Sequence, residues 1–326
     1  MKKFLLILGL VGLFTSCVTV GTLSYDRLQA ADINFPEMVR RVGVVNNMPP
    51  SSVVEERSTE WLEGDGTITA ESFAQAIAAT DYFEEVVLCD SSLYHSSLQG
   101  EGAETLSSTQ VDSLIKALDV DMLFSLNRVY IHLKENSFFL PGVQGPVTVI
   151  DGIVTPKLQV YVPNRSTPLF SIAKTDSIYW DLSPSLDVKQ VVADASEFAA
   201  TIPMKHLLPY WEEVSRYYYN GGDVHMRDAA VSVQEGDWDS AYQLWEQAYQ
   251  QKKGAARMRA AYNMALYYEM HDDFERAKTY LSEALQLAKE GSSEMNMMEF
   301  YQVQLNNLAA TNSKLKIQMK RFDNKF

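Results

Sequence analysis

Few residues of this chain have the type and spacing that catalysis or metal binding requires. The histidines are scattered, and no His-Glu-x-x-His grouping, Gly-x-Ser-x-Gly motif or phosphate-binding loop occurs. We therefore predict no catalytic residue, no metal site and no cofactor. The alternative is a periplasmic hydrolase or ligand-binding protein with a site in the α/β domain, where distant carboxylates converge in the fold as they do in glycosidases. The histidines are His95, His132, His206, His225 and His271.

An acidic segment and one cysteine are the next candidates for chemistry. The carboxylates of the segment lack the alternating ligand order of a calcium loop, so a solvated acidic loop is the favoured interpretation. Cys89 follows the apolar run Val86-Val87-Leu88, which favours a buried structural thiol over a nucleophile. The acidic residues are Glu55, Glu56, Glu60, Glu63 and Asp65.

Cys17 has the clearest chemical context of any thiol in the chain. Lys2 and Lys3 precede an apolar run from Phe4 to Phe14, and Thr15-Ser16-Cys17 follows, which is the anatomy of a signal peptide. The run is too short to span a bilayer, which needs about 20 residues. A cysteine at the cleavage point resembles the lipobox of bacterial lipoproteins, and Phe14 in place of the usual leucine resembles the Bacteroidetes type. The resemblance implies cleavage of residues 1–16 and lipidation of Cys17 with fatty acyl chains such as palmitate.

The charge of the chain excludes one class of partner. Removing residues 1–16 removes Lys2 and Lys3, so the formal net charge changes from −14 to −16. No basic stripe is present, so we expect no nucleic acid partner. Residues 17–37 are predicted to be a lipidated tether. No acidic cluster of the kind that promotes surface export in the lipoproteins it resembles follows Cys17, so we expect an outer-membrane protein that faces the periplasm.

Hydrophobic patterns predict an α/β domain over residues 38–202. Strands are predicted at 39–45, 84–90 and 121–131, and helices that begin at Thr69 and at Ser107 or Ser108 lie between them. This order requires parallel neighbours. Alternation over residues 147–162 and 167–180 predicts an antiparallel hairpin, and a helix over 186–208 closes the domain.

Residues 137–146 form an apolar segment with many turn residues. An exposed segment of this kind would be a docking patch or would touch lipid. We favour the alternative that it folds back over one edge of the sheet. It is too short to cross a bilayer twice, because each strand would need about 9–11 residues, so a pore is not expected.

The C-terminal part of the chain repeats a pattern of small and aromatic residues after 36 positions. Such a pattern resembles the second helix of a tetratricopeptide (TPR) repeat, whose period is about 34 residues. Residues 260–269 then supply the first helix of the second copy. The resemblance implies a helical, protein-binding domain over 203–320, with capping helices at 207–218 and 293–320 and a frayed tail at 321–326. The predicted packing residues are Trp238, Ala241, Trp245 and Ala248 in the first copy, and Phe274, Ala277, Leu281 and Ala284 in the second.

The TPR resemblance also implies a binding groove, because first helices line the concave face in that family. Asn263 occupies a position used to clamp a terminal carboxylate, but the matching lysines are absent. We expect Tyr262→Ala with Asn263→Ala to abolish partner binding at nearly unchanged thermal stability. The groove residues are Met226, Ala230 and Val233 in the first copy, and Arg259, Tyr262, Asn263, Leu266 and Glu269 in the second.

The predicted sheet carries a further resemblance. The segments 41–45, 82–87, 118–124 and 157–162 are similar in pattern to curli-secretion lipoproteins and to the N-terminal domain of the Tol-system propeller protein. The mature chain resembles a group of Bacteroidetes lipoproteins that combine such a domain with TPR repeats. The resemblance implies an α+β fold and a place in the envelope, but it does not imply a reaction. We therefore predict a non-catalytic lipoprotein adaptor that binds another envelope protein or peptide in envelope assembly, secretion or maintenance.

Overall fold

The computed structural model describes residues 20–49, 60–89, 93, 105–139, 141–142, 144–165, 167–181 and 187–323. The predicted signal peptide and Cys17 lie outside this range, as do Glu55, Glu56 and His95. The chain divides into two compact units. We call residues 20–29 and 211–315 the helical unit and residues 30–210 and 316–323 the sheet unit. The predicted α+β class is confirmed, because a mixed sheet with helices is followed by an all-helical region.

The strands and helices occur in the following order. The first strand of the chain, β1 (Val20–Gln29), belongs to the helical unit. The sheet unit follows with β2 (Arg41–Asn46), β3 (Trp61–Glu63), α1 (Gly66–Ala78), β4 (Glu85–Cys89), α2 (Ser108–Leu118), β5 (Met122–Phe139), β6 (Pro146–Tyr161), β7 (Phe170–Ala173), β8 (Asp176–Asp181), α3 (Val188–Thr201) and α4 (Met204–Leu207). Next come β9 (Tyr210–Tyr219), α5 (Val224–Gln234), α6 (Trp238–Gln251), α7 (Gly254–Met270), α8 (Phe274–Leu287) and α9 (Ser293–Met319).

The sheet unit is organised around a seven-stranded sheet. Its main order is β4-β2-β5-β6-β7, with β3 beside β5 and β8 beside β6. Strand β2 is parallel to both β4 and β5, as the alternation of strands and helices predicts. Val42, Val44, Phe73 and Phe124 are buried together in the core of this unit. Parallel pairing in the middle of the sheet explains why these strands are continuous apolar runs.

Side-chain caps fix the starts of the first two helices. Ser107 and Gln110 form a reciprocal capping box at the start of α2, which confirms the predicted start. The predicted start of α1 at Thr69 is wrong, because the Asp65 side chain accepts hydrogen bonds from the N–H groups of Thr67 and Ile68. Thr69 is buried and donates to the carbonyl of Ser196. A carboxylate four residues earlier therefore caps the helix.

Strands β5 and β6 form a long hairpin that the sequence did not predict. They pair from Leu123↔Tyr161 as far as Phe139↔Pro146. The prediction that 137–146 folds over a sheet edge is wrong, because residues 137–139 continue β5 and the Phe139 side chain is 78% exposed. Residues 134–139 are exposed without interruption, so they carry no alternation of apolar and polar positions. A strand that lies outside the core lacks the pattern by which strands are recognised.

The C-terminal segment packs against the sheet unit, contrary to the predicted frayed tail. The Arg321 guanidinium donates to the carbonyl of Tyr82 at 2.8 Å and lies 3.8 Å from the centre of its ring. The Gln318 amide bonds both the N–H and the carbonyl of Ala31. These contacts fix the described residues up to 323, whereas residues 324–326 lie outside the described range.

The helical unit contains two helical hairpins whose turns have the same geometry. Gly236 and Asp272, 36 positions apart, both have positive φ angles, +76° and +58°. The next residues, Asp237 and Asp273, cap α6 and α8 by accepting from the N–H groups of Ser240 and Arg276. Asp237 N–H also bonds the carbonyl of Ser232, as Asp273 N–H bonds that of Tyr268. The sequence period is therefore a structural repeat.

Two further elements of the helical unit differ from the prediction. The tether predicted over 17–37 contains strand β1, and the capping helix predicted over 207–218 is largely strand β9, which pairs with β1. Val214, Arg216 and Tyr218 are buried while the residues between them are exposed. That period of two belongs to a strand, although Leu207, Trp211, Val214 and Tyr218 also fit helical spacing.

Candidate functional site

The predicted concave groove is covered by the chain itself. Six of its eight predicted residues are buried, and the other two, Val233 and Arg259, are half-buried. The prediction that the six face an open groove is therefore wrong. We call the pair of strands β1 and β9 the ribbon; its contacts with α7 provide the cover. The buried residues are Met226, Ala230, Tyr262, Asn263, Leu266 and Glu269.

Asn263 holds the backbone of β9. Its side-chain oxygen accepts from the N–H of Tyr219 at 2.9 Å, and its side-chain nitrogen donates to the carbonyl of Tyr219 at 2.7 Å. Asn263 is 0% exposed. Both polar ends of the amide are thus satisfied by the backbone N–H and C=O of one residue of an extended strand. The side chain that was predicted to bind a partner binds a segment of the same chain instead.

Glu269 binds both strands of the ribbon. It is 0% exposed and accepts from the Arg216 guanidinium at 2.8 Å and from the Tyr25 hydroxyl at 2.8 Å. Burial raises the pKa of the Tyr25 phenol, and the negative charge of Glu269 raises it further. Tyr25 therefore keeps its proton at neutral pH and donates a hydrogen bond to the carboxylate. One buried ion pair and one charged hydrogen bond attach the ribbon to α7.

The ribbon changes the expected outcome of the groove substitutions. Tyr262 is 1% exposed and its ring lies edge-on to that of Tyr219, with the centroids 5.3 Å apart. Replacing Tyr262 and Asn263 together removes a packed ring and both hydrogen bonds to the backbone of Tyr219. We therefore expect lower thermal stability for the double variant, in place of the nearly unchanged stability expected for an open groove.

The predicted repeat-packing residues lie where packing requires them. Trp238 is half-buried against the core of the helical unit and the other seven are buried in it. Small side chains on α6 and α8 allow close approach of the neighbouring helices. The seven buried residues are Ala241, Trp245, Ala248, Phe274, Ala277, Leu281 and Ala284.

A cluster of tyrosines, which we call the tyrosine face, spans α6, α7 and α8. The Tyr242 and Tyr268 hydroxyls are 2.8 Å apart. The rings of Tyr268 and Tyr280 are stacked in parallel with centroids 5.5 Å apart, and those of Tyr242 and Tyr267 are 4.5 Å apart. Four of the five tyrosines are half-buried, whereas Tyr268 is buried. The cluster comprises Tyr242, Tyr249, Tyr267, Tyr268 and Tyr280.

Charged side chains fix the rings of the tyrosine face. Arg257 donates to Glu283 at 2.7 Å and to the Tyr249 hydroxyl at 2.8 Å, and its guanidinium lies 4.2 Å from the centre of the Tyr249 ring. The Tyr267 hydroxyl donates to Asp239 at 2.7 Å, and this bond, with burial, raises the pKa of Tyr267 to about 12. Tyr267 thus stays protonated at neutral pH, and the fixed rings present an ordered aromatic surface.

The tyrosine face is not part of the repeat pattern in the sequence. That pattern consists of the small and aromatic residues of α6 and α8 that pack the hairpins, and Tyr242, Tyr249 and Tyr280 lie outside it. The available signal was the presence of further aromatic residues on the same helices. Aromatic side chains in addition to those that packing needs are typical of a surface with a second role.

The other candidates for chemistry lie apart from one another. The His132 ring stacks on Trp61 and the His271 ring lies tilted against Tyr267, with ring centroids 4.0 Å and 4.1 Å apart. Glu63 forms an ion pair with Arg128 at 2.7 Å. Cys89 is half-buried. Across the described ranges, no three histidine, cysteine, aspartate or glutamate side chains are grouped to hold a metal ion.

Comparison with known families follows the two parts of the chain. A model described as a domain of unknown function (DUF8603) matches residues 39–219, which is more than half of the chain. The chain belongs to the DUF8603 family. A second model, a domain of unknown function (DUF6340), matches residues 227–307. No curated protein matches the chain.

The DUF8603 match and the compact units divide the chain at different places. The match ends at Tyr219, the last residue of β9, whereas the packing of residues 211–219 assigns them to the helical unit. The DUF6340 match contains the two helical hairpins almost completely. The ribbon therefore joins a strand from the DUF8603 match to helices from the DUF6340 match.

Proposed function

We propose that this chain is a lipid-anchored protein of the bacterial envelope that acts as a non-catalytic adaptor and binds another polypeptide through the tyrosine face. The face is the observation that carries the proposal. It combines half-buried tyrosines with two arginines, Arg257 and Arg276, that lie 4.2 Å and 5.2 Å from the tyrosine rings they cover. Tyrosine and arginine dominate the binding energy of protein interfaces.

A polypeptide is the partner that fits this surface. The rings contact one another and the hydroxyls of Tyr242, Tyr267 and Tyr268 are hydrogen-bonded, so little side-chain entropy is lost when a partner docks. The ribbon covers the side of α7 that binds ligands in TPR proteins. Among the described residues of this unit, the tyrosine face is the ordered aromatic surface that remains available to a partner. This proposal retains the adaptor role and moves it to a different surface.

Site-specific photo-crosslinking in intact cells tests the docking role. A photoreactive amino acid at His271, which is exposed beside Tyr267, should form an adduct with one recurrent protein. The same residue at Ser282, which is exposed on α8, is the matched control and should form none. The captured protein is then purified and titrated against wild type and Arg276→Glu. We expect about tenfold weaker binding, because Arg276 covers the Tyr268 ring.

Two outcomes would contradict the docking role. Equal adducts from His271 and Ser282 would indicate random collision. Unchanged affinity of Arg276→Glu and of Tyr280→Ala would show that the tyrosines serve only to pack α6 against α8. Thermal unfolding of each variant is measured in parallel. Arg276 is largely exposed, so its replacement should leave the melting temperature unchanged.

The lipid anchor at Cys17 is tested separately. The proposal rests on the basic, apolar and Cys-terminated sequence of residues 1–17. No helix in the described part of the chain is long and apolar enough to cross a membrane. We expect Cys17→Ala to move the protein from the membrane fraction to the soluble fraction, and Cys89→Ala, the matched control, to leave it in the membrane. Membrane retention of Cys17→Ala would contradict lipidation as the anchor.

A further inference from the structure

The β5–β6 hairpin extends beyond its neighbouring strands, and the outer edge of β5 has no neighbour there among the described residues; we call this the open edge. Strand β3 pairs with β5 only over Tyr130–His132, and β8 pairs with β6 only from Val149 onwards. Residues 137–139 and 146–148 therefore pair with each other alone among the described strands. We call residues 133–139 and 146–152 the arm.

The direction of the backbone groups on the open edge follows from the contacts with β3. Leu133 N–H donates to the carbonyl of Glu60, and the Val129 carbonyl accepts from the N–H of Gly64. Backbone groups alternate sides along a strand, and the β5–β6 register is continuous from Arg128 to Phe139. The N–H and C=O groups of residues 135, 137 and 139 consequently point away from β6 to the open edge.

We propose that this edge pairs with the same edge of a second copy of the chain, so that two arms form an antiparallel sheet across a two-fold axis at Ser137. An antiparallel pair exchanges hydrogen bonds between every second residue. The open positions 135, 137 and 139 are evenly spaced about Ser137, so Ser137 pairs with its counterpart and Glu135 with Phe139 of the other copy. The edge is self-complementary, as a two-fold interface requires.

Side chains favour this register as well. In this register Glu135 lies opposite the Phe139 ring of the other copy, and no two like charges lie opposite each other. Phe138 and Phe139 are 43% and 78% exposed, and pairing covers part of both rings. An unpaired strand edge with exposed aromatic side chains is a template for another strand. The second copy supplies a strand of matching length and direction.

Proline at position 137 tests the pairing. The Ser137 N–H points to the open edge, so Ser137→Pro removes the bond to the second copy and leaves the β5–β6 ladder intact. Ser137→Ala is the matched control, since both variants lose the 2.8 Å contact between the Ser137 and Thr148 hydroxyls. Full chains that all carry Cys17→Ala, so that no acyl chain contributes, are compared by sedimentation equilibrium. Moderate salt screens the net charge of −14.

We expect a concentration-dependent dimer for the parent chain and for Ser137→Ala. The dimer of Ser137→Pro should be weaker by about tenfold or more, because two symmetry-related backbone hydrogen bonds are lost together. A monomer for all three chains at the highest concentrations, or equal dimerisation of all three, would overturn the proposal. Circular dichroism shows whether the proline variant is folded.

A second pair of variants tests the register and does not depend on proline. Phe139→Glu places two carboxylates opposite each other at the Glu135 position and should weaken the dimer. Phe139→Lys places opposite charges there and should preserve it. Because Phe139 is largely exposed, neither change disturbs the core. Equal effects of the two substitutions would contradict the axis at Ser137.

Discussion

Replacing Arg216 with alanine should lower the free energy of unfolding of the helical unit by about 3–5 kcal/mol, because the variant leaves the carboxylate of Glu269 buried without its cation. Glu269 is 0% exposed, and Arg216 bonds it through two nitrogens at 2.8 Å and 3.1 Å. The remaining bond from Tyr25 cannot neutralise the charge. Urea unfolding followed by circular dichroism at helical wavelengths measures the loss.

The double variant Arg216→Met with Glu269→Leu distinguishes the effect of an unpaired charge on stability from the effect of lost side-chain packing. Apolar side chains of similar volume remove the cation and the anion together, so most of the lost stability should return. The hydrogen bond from Tyr25 is lost in this variant, which leaves a deficit of about 1 kcal/mol. A double variant as unstable as Arg216→Ala would show that packing, and not the unpaired carboxylate, causes the loss.

The ribbon could not be predicted from the sequence, because it depends on contacts between residues that lie far apart in the chain. Ser24 and Ser215, whose hydroxyls are 2.9 Å apart, are separated by 191 positions. The spacing of the apolar residues in β9 fits a helix as well as a strand, and only the partner strand and α7 decide between them. Asn263 is a second example, because the TPR resemblance associates its position with the binding of a partner's terminal carboxylate. No local pattern indicates that the backbone of β9 in the same chain occupies the binding position of Asn263.

Local patterns, by contrast, predicted the hairpins of the helical unit. A turn needs a residue that tolerates positive φ, and Gly236 and Asp272 both supply it. In both copies the residue that follows is an aspartate, whose side chain accepts a hydrogen bond from a backbone N–H group in the first turn of the helix. These requirements act within a few residues, so the period of 36 is visible in the sequence. The arm is the opposite case, because its residues contact too little of the core to carry a pattern.

The tyrosine face lies between these two cases. Its residues belong to helices that the sequence predicted, but ring contacts such as Tyr249 with Tyr280 join different hairpins. Which aromatic side chains pack inside and which remain half-exposed depends on the angle between neighbouring helices, and the repeat pattern does not contain that angle. The site could therefore be found only after the helices had been placed.

Replacing Trp245 with alanine should cost about 3–5 kcal/mol, because the indole is the largest fully buried side chain of the helical unit. Its neighbours on the same helix face, Ala241 and Ala248, are too short to fill the space that the ring leaves. The cavity therefore persists and adds to the lost transfer free energy. Urea unfolding of the full chain, followed at helical wavelengths, gives the value.

Two control variants identify the cause of this loss. Trp245→Phe keeps most of the ring and removes an indole N–H that has no hydrogen-bond partner among the described residues, so it should cost only about 1–2 kcal/mol. Trp238→Ala, at the half-buried tryptophan of the same repeat, should cost less than half as much as Trp245→Ala. Equal losses at the two tryptophans would mean that Trp245 does not fill the contact between the helices. The close packing from which the repeat was predicted would then be absent.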